Sequence, residues 1–267
     1  MGIILGNIIA VYRKELQGYF ASPLAYTIAG IFWLITGYFL ITILLSGDGI
    51  VQQVATRDQM GITDPPIDVA TLFLQNFLQL MASISLFILP MLSMGLYTEE
   101  RKRGTLELLA TSPITNWVVA LGKLLGVVTF YVTMVLPLMA LEFLAVNLSN
   151  PPFPMTILIL GHLGLVLMAA GILSLGMFIS SLTDSTILSA ILTFGLVLFL
   201  WIVDLIGNNI GGSWGDAISH LSLVKNYTNL VKGILDTSSL IIFGSYIVLG
   251  IFLTAQSIDS LRFQQRS

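Results

Sequence analysis

Six long apolar runs joined by short polar connections predict an all-α integral membrane protein. Composition agrees: of 267 residues, 56% are hydrophobic and only 9% charged, against about 25% charged in a soluble domain. Apolar residues flanking the runs recur at three- and four-residue spacing, the period of a helix rather than a strand. The net charge of −3 gives no reason to expect nucleic acid as a partner. The absence of cysteine excludes disulfides, thiolate metal sites and cysteine nucleophiles.

Residues 1–21 come first. Leu5, Ile8, Ile9, Tyr12, Leu16, Tyr19 and Phe20 form an apolar stripe, with Asn7, Arg13, Lys14 and Gln17 elsewhere on the wheel. The pattern predicts an amphipathic helix in the membrane interface, and an uncleaved anchor rather than a signal peptide. Ser22-Pro23 turns the chain into span one, residues 24–45, which carries no charge. Residues 46–71 read as a polar loop, with Asp48, Arg57, Asp58, Asp64 and Asp68.

Span two covers residues 72–96, with Gln75, Asn76 and Gln79 on one face near its start. Such amides bond a neighbouring helix or face a permeation path. Span three covers 117–146 and holds Lys123, expected to snorkel to the nearby headgroups, and Glu142. Its Gly122 and Gly126 are spaced to admit another helix. A proline-rich turn at 147–154, span four at 157–179, a short turn at 180–185 and span five at 187–206 follow. Residues 207–236 are too polar to cross and too apolar for a plain loop. Ile218, Leu221, Val224, Leu230, Val231 and Ile234 predict one or two short external amphipathic helices. Asp236, Ser238 and Ser239 are N-cap candidates for span six, 240–258.

Six spans put both termini on one side. Eight of the eleven Lys and Arg residues fall on that side: Arg13, Lys14, Arg101, Lys102, Arg103, Lys123, Arg262 and Arg266. Arg57, Lys225 and Lys232 fall on the other. The termini are expected to be cytoplasmic.

The connection at 97–113 stands apart. Glu99 to Arg103 are five consecutive charges, Gly104 interrupts the helix, and residues 105–110 offer one fresh turn carrying Leu106, Glu107 and Leu109 before Pro113. Leucines without a core of their own, at the membrane's inner face, are suited to insertion into a partner.

The wording Glu-Arg-x-x-Gly-Thr-Leu-Glu-Leu-Leu-x-Thr-Ser-Pro, Glu100 to Pro113, resembles the segment after the second span in type 2 ABC (ATP-binding cassette) transporter permeases, most of all the gliding-motility branch. Arg13-Lys14-Glu15-Leu16 followed by Ser22-Pro23 is similar to the opening of the same family. The resemblance implies a coupling helix that receives motion from a separate ATPase subunit, through Glu100, Arg101, Gly104, Thr105, Leu106, Glu107 and Leu109. It also implies ATP and Mg²⁺ on that subunit with no cofactor in this chain, a second permease copy or paralogue, export, and a bacterial or archaeal inner membrane.

Other chemistries find little support. Gly122-Lys123-Leu124 lacks the remainder of a Walker A loop. There is no HExxH, and His162 and His220 are the only histidines, so no metal site is expected. Gly211-Gly212-Ser213-Trp214-Gly215 satisfies G-x-S-x-G with Asp216 and His220 nearby, but a nucleophile elbow needs a strand-to-helix turn beneath it. A glycine-rich turn is the better account. A secondary transporter or channel is the remaining alternative, though no inverted pair of interrupted helices is evident. Glu142 and Asp204 are pathway candidates, Asp204 the stronger; the competing reading takes both carboxylates to the headgroups.

Overall fold

The computed structural model describes residues 2–61, 68–106, 114–147 and 155–264, with side chains to residue 260. Every regular element in them is a helix. They are α1 (Gly2–Ala21), α2 (Pro23–Leu45), α3 (Ile50–Gln59), α4 (Val69–Ser93), α5 (Gly95–Lys102), α6 (Asn116–Val146), α7 (Met155–Leu182), α8 (Thr186–Ile210), α9 (Gly212–Ser219), α10 (Leu223–Val231) and α11 (Thr237–Gln264). Six are long and apolar enough to cross a membrane: α2, α4 continued by α5, α6, α7, α8 and α11.

Local chemistry sets the ends. The Ser22 hydroxyl accepts from the Ala25 amide with Pro23 at the first helical position, and Asp68 accepts from both the amide and the hydroxyl of Thr71. Those bonds from Thr71 also hold the Asp68 carboxyl below the usual carboxylate range. Asp236 opens α11 by accepting from the Ser238 amide and the Ser239 hydroxyl.

Two connections differ from the sequence reading. The loop at 46–71 contains α3, built from the helix-tolerant run Ile-Val-Gln-Gln-Val-Ala-Thr-Arg-Asp-Gln with Ile50 buried. The turn expected at 180–185 shrinks to 183–185, because α7 continues through Ser180 and Ser181, whose side chains hydrogen-bond inside the protein.

Helix α7 is the centre of the bundle, packed on α4, α6, α10 and α11. Small residues make that possible in a setting where lipid supplies no hydrophobic drive between helices. A Cβ on Gly164 would meet the Leu230 side chain at 2.8 Å, and one on Gly250 would meet the Ser174 backbone at 2.5 Å.

Helix α1 has a partner of its own. Ile8 and Val11 lie against Gly122, Glu15 against Gly126, and Tyr19 stacks on Phe130, so α1 steps along α6 in fours. The GxxxG pair admits this helix. Cβ atoms at Gly122 and Gly126 would each meet α1 side chains at 2.8 Å. Gly122→Leu is therefore expected to lift α1 away. Overpacking of about 1–3 kcal/mol should raise tryptic cleavage at Arg13 and Lys14 roughly fivefold or more, read by limited proteolysis in detergent.

Candidate functional site

One end of the bundle gathers the charges of α1, α5 and α6. Helix α5 ends in a Schellman motif: Gly104 sits at φ +67°, its amide bonds the Arg101 carbonyl, and the Thr105 amide bonds the Glu100 carbonyl at 2.9 Å. The cap leaves Lys102, Arg103, Gly104 and Thr105 exposed at the tip, with Arg103 paired to Glu99 one turn back.

Beneath the tip lies Lys123, which shares a buried face of α6 with Val119, Ala120 and Val127. Its side chain is 3% exposed. The ammonium reaches Glu15 at 2.8 Å, the Leu96 carbonyl at 2.8 Å and Glu100 at 3.0 Å, and lies 4.8 Å from the centre of the Tyr97 ring. Three donors thus meet three acceptors. Lys14 adds a second cation, 3.2 Å from Glu100. Burial pulls the Lys14 ammonium down, but Glu100 and then Glu15 outweigh it and hold it above the ordinary lysine value.

The expectation that Lys123 snorkels to the headgroups is thus corrected. Two carboxylates from two other helices give the ammonium a better-satisfied site inside the protein.

Helix α5 is also tied to α7. Where α4 gives way to α5, the Tyr97 and Thr98 amides donate to the Ser180 hydroxyl, which donates to the Met94 carbonyl. Arg101 donates to the Ser181 carbonyl at 2.7 Å. Asn116 donates to Asp259 at 2.6 Å, bringing in α11.

These contacts redistribute the proposed coupling residues. Glu100 and Arg101 are anchors within the chain, while Gly104 and Thr105 are exposed at the tip. Leu106 is 2% exposed and packed in the chain's own core. Glu107 and Leu109 lie outside the described residues. Sequence reasoning missed Glu15, Lys123 and Ser180 as a set. The available signal was the placement of Lys123 on the same α6 face as buried apolar positions.

The opposite end holds two further charged pairs. Glu142 is fully buried between α6 and α7, with Oε1 3.3 Å from His162 Nε2. His162 Nδ1 lies 2.9 Å from the Leu158 carbonyl. Glu142 therefore neither reaches headgroups nor lines an open path, because its face of α6 is turned into the bundle with Leu138 and Val146. Asp204 is half-buried, 3.6 Å from Lys225 of α10, on an open cavity of about 700 Å³. Tyr227 of α10 donates to the Leu78 carbonyl, tying this helix to α4.

Among the described residues no hydrogen bond joins Gln75, Asn76 or Gln79 to a neighbouring helix, and Asn76 and Gln79 are exposed on the outside of the chain. Ser213, Asp216 and His220 are all exposed on or beside the eight-residue helix α9. Gly215 serves packing, since a Cβ on its neighbour Gly207 would meet the Gly215 carbonyl at 2.5 Å.

Six membrane-length helices, with a charged element clamped at one end and two short helices at the other, define a multi-pass membrane protein. The family model described as ABC-2 family transporter protein matches residues 9–267, nearly the whole chain. The protein belongs to that family. No curated protein matches it.

Proposed function

We propose that the chain is the permease half of an ATP-driven exporter, paired with a second permease and served by two separate ATPase subunits that hold ATP and Mg²⁺. The α5 tip and both termini face the cytoplasm in this reading, and α9 and α10 lie at the outer surface of the cell membrane. The likeness of Glu100 to Pro113 to the gliding-motility branch favours that subgroup.

The observation that carries the reading is the node at Lys123. A push on the exposed tip reaches α1 and α6 through Glu100 and Lys123, and α7 through Arg101 and Ser180, before any helix can slip independently. Polar residues pointing out of α4 favour the paired arrangement. Asn76 and Gln79 gain partners or water against a second permease and none against lipid tails. Asp204 lines the outer exit.

The cysteine-free chain allows a direct test. A single Thr105→Cys should react with an impermeant thiol reagent only from the cytoplasm, and Lys102→Glu with Arg103→Glu should cut co-purified ATPase about tenfold or more, as loss of two interface charges implies. Labelling from outside in intact cells, or full retention of the ATPase, would refute the reading.

A further inference from the structure

Helix α10 is amphipathic in an uncommon setting. Leu223, Tyr227, Leu230 and Val231 are buried in the bundle. The opposite face, with Lys225, Thr228 and Asn229 and then Lys232 at the C-cap, looks into the 700 Å³ cavity whose far wall is Trp201, Ile202 and Leu205 of α8. Those three are exposed on the outside of the bundle, so apolar wall and polar wall meet where a bilayer's hydrocarbon gives way to headgroups.

The charges in the cavity do not cancel. Lys225 is engaged by Asp204 at 3.6 Å and by the Ser219 hydroxyl at 2.5 Å. Lys232 is exposed and has no ion-pair partner among the described residues. Two cations and one carboxylate leave one net positive charge. Lys225 and Lys232 stand seven residues apart, about 10 Å along the axis, a gap that two four-carbon stems close around one anion.

We propose that this cavity binds an amphiphile whose headgroup is a phosphodiester bearing hydroxyls. The single negative charge of a phosphodiester matches the surplus cation, Asp204 accepts from a headgroup hydroxyl, and Asn208, Thr228 and Asn229 supply further polar contacts. The tail lies along Trp201, Ile202 and Leu205. The inference rests on the preceding reading only for the leaflet involved, outer rather than inner.

The test uses brominated lipids in bilayer discs, which expose both leaflets and so do not depend on that orientation. Quenching of Trp201 is the difference between the wild type and Trp201→Phe. Brominated phosphatidylglycerol should quench at about fivefold lower mole fraction than brominated phosphatidylcholine, the effect of one uncompensated cation. Lys232→Gln, at an exposed position that folding does not require, should abolish most of this preference. The double variant Lys225→Gln with Asp204→Asn, which leaves no lone charge behind, should also reduce it.

Equal quenching by the two lipids, or a preference that survives Lys232→Gln, would overturn the proposal. Displacement by excess glycerol 3-phosphate would assign the site to a soluble phosphate and overturn the amphiphile. With the ATPase bound, stimulation of ATP hydrolysis by phosphatidylglycerol that is lost in Lys232→Gln marks the lipid as cargo; selective binding without stimulation marks it as resident. Cytoplasmic labelling of Thr105→Cys fails or succeeds independently of all these outcomes.

Discussion

Lys123→Met is expected to be the most damaging single change at the α5 end. It removes the cation from between Glu15 and Glu100, whose side chains are only 14% and 17% exposed, and leaves two carboxylates of like charge facing an apolar stem. Removing one partner of a buried ion pair costs about 3–5 kcal/mol. Lys14 restrains Glu100 from the exposed side and recovers only a small part, because surface pairs contribute little. The loss should appear as a lower unfolding temperature in detergent, faster tryptic cleavage in α1, and poor retention of the ATPase. A triple variant, Glu15→Gln, Glu100→Gln and Lys123→Met, removes charge on both sides and should recover most of the stability. It should not recover coupling, since amides hold the helices together less rigidly than charges do. If Lys123→Met melts within about 1 kcal/mol of the wild type, the upper bound for a weak exposed pair, the node does not hold the three helices together.

The second large effect is expected at His162. Its Nδ1 faces the Leu158 carbonyl, which only accepts, so that nitrogen carries hydrogen. Nε2 lies 3.3 Å from Glu142 Oε1, so the imidazole is the group placed to interact with this buried carboxyl. His162→Leu takes away the imidazole 3.3 Å from a carboxylate with no exposure, whose two oxygens have no hydrogen-bond partner among the described residues. A loss of about 3–5 kcal/mol, or failure to accumulate in the membrane, should follow. Glu142→Gln keeps a donor toward Nε2 and should cost about 1 kcal/mol, the net worth of one hydrogen bond. Glu142→Leu with His162→Leu should be milder than His162→Leu alone. Thermal unfolding of the four proteins in the same detergent checks the order. If His162→Leu is as stable as Glu142→Gln, the pair contributes no partnership.

The sequence by itself determined the class of fold. Runs of twenty or more apolar residues leave a lipid-soluble helix as the one open structure that satisfies every backbone group, and the six spans stand where those runs are. Gly104 and Asp236 likewise act through their own backbone neighbourhood, so their roles at helix ends were legible in local chemistry. What only the tertiary structure decided is which ionisable side chains meet. Lys123 and Glu15 are separated by more than a hundred positions, and Glu142 and His162 belong to different spans. Helical periodicity gives the face that a residue occupies and says nothing of the helix opposite. Lys123 therefore read as a snorkelling surface cation and Glu142 as a pathway carboxylate. A charge in a membrane helix must find a partner or water, and the identity of that partner depends on how α1 and α7 pack against α6, which small residues such as Gly122 and Gly126 permit but do not specify.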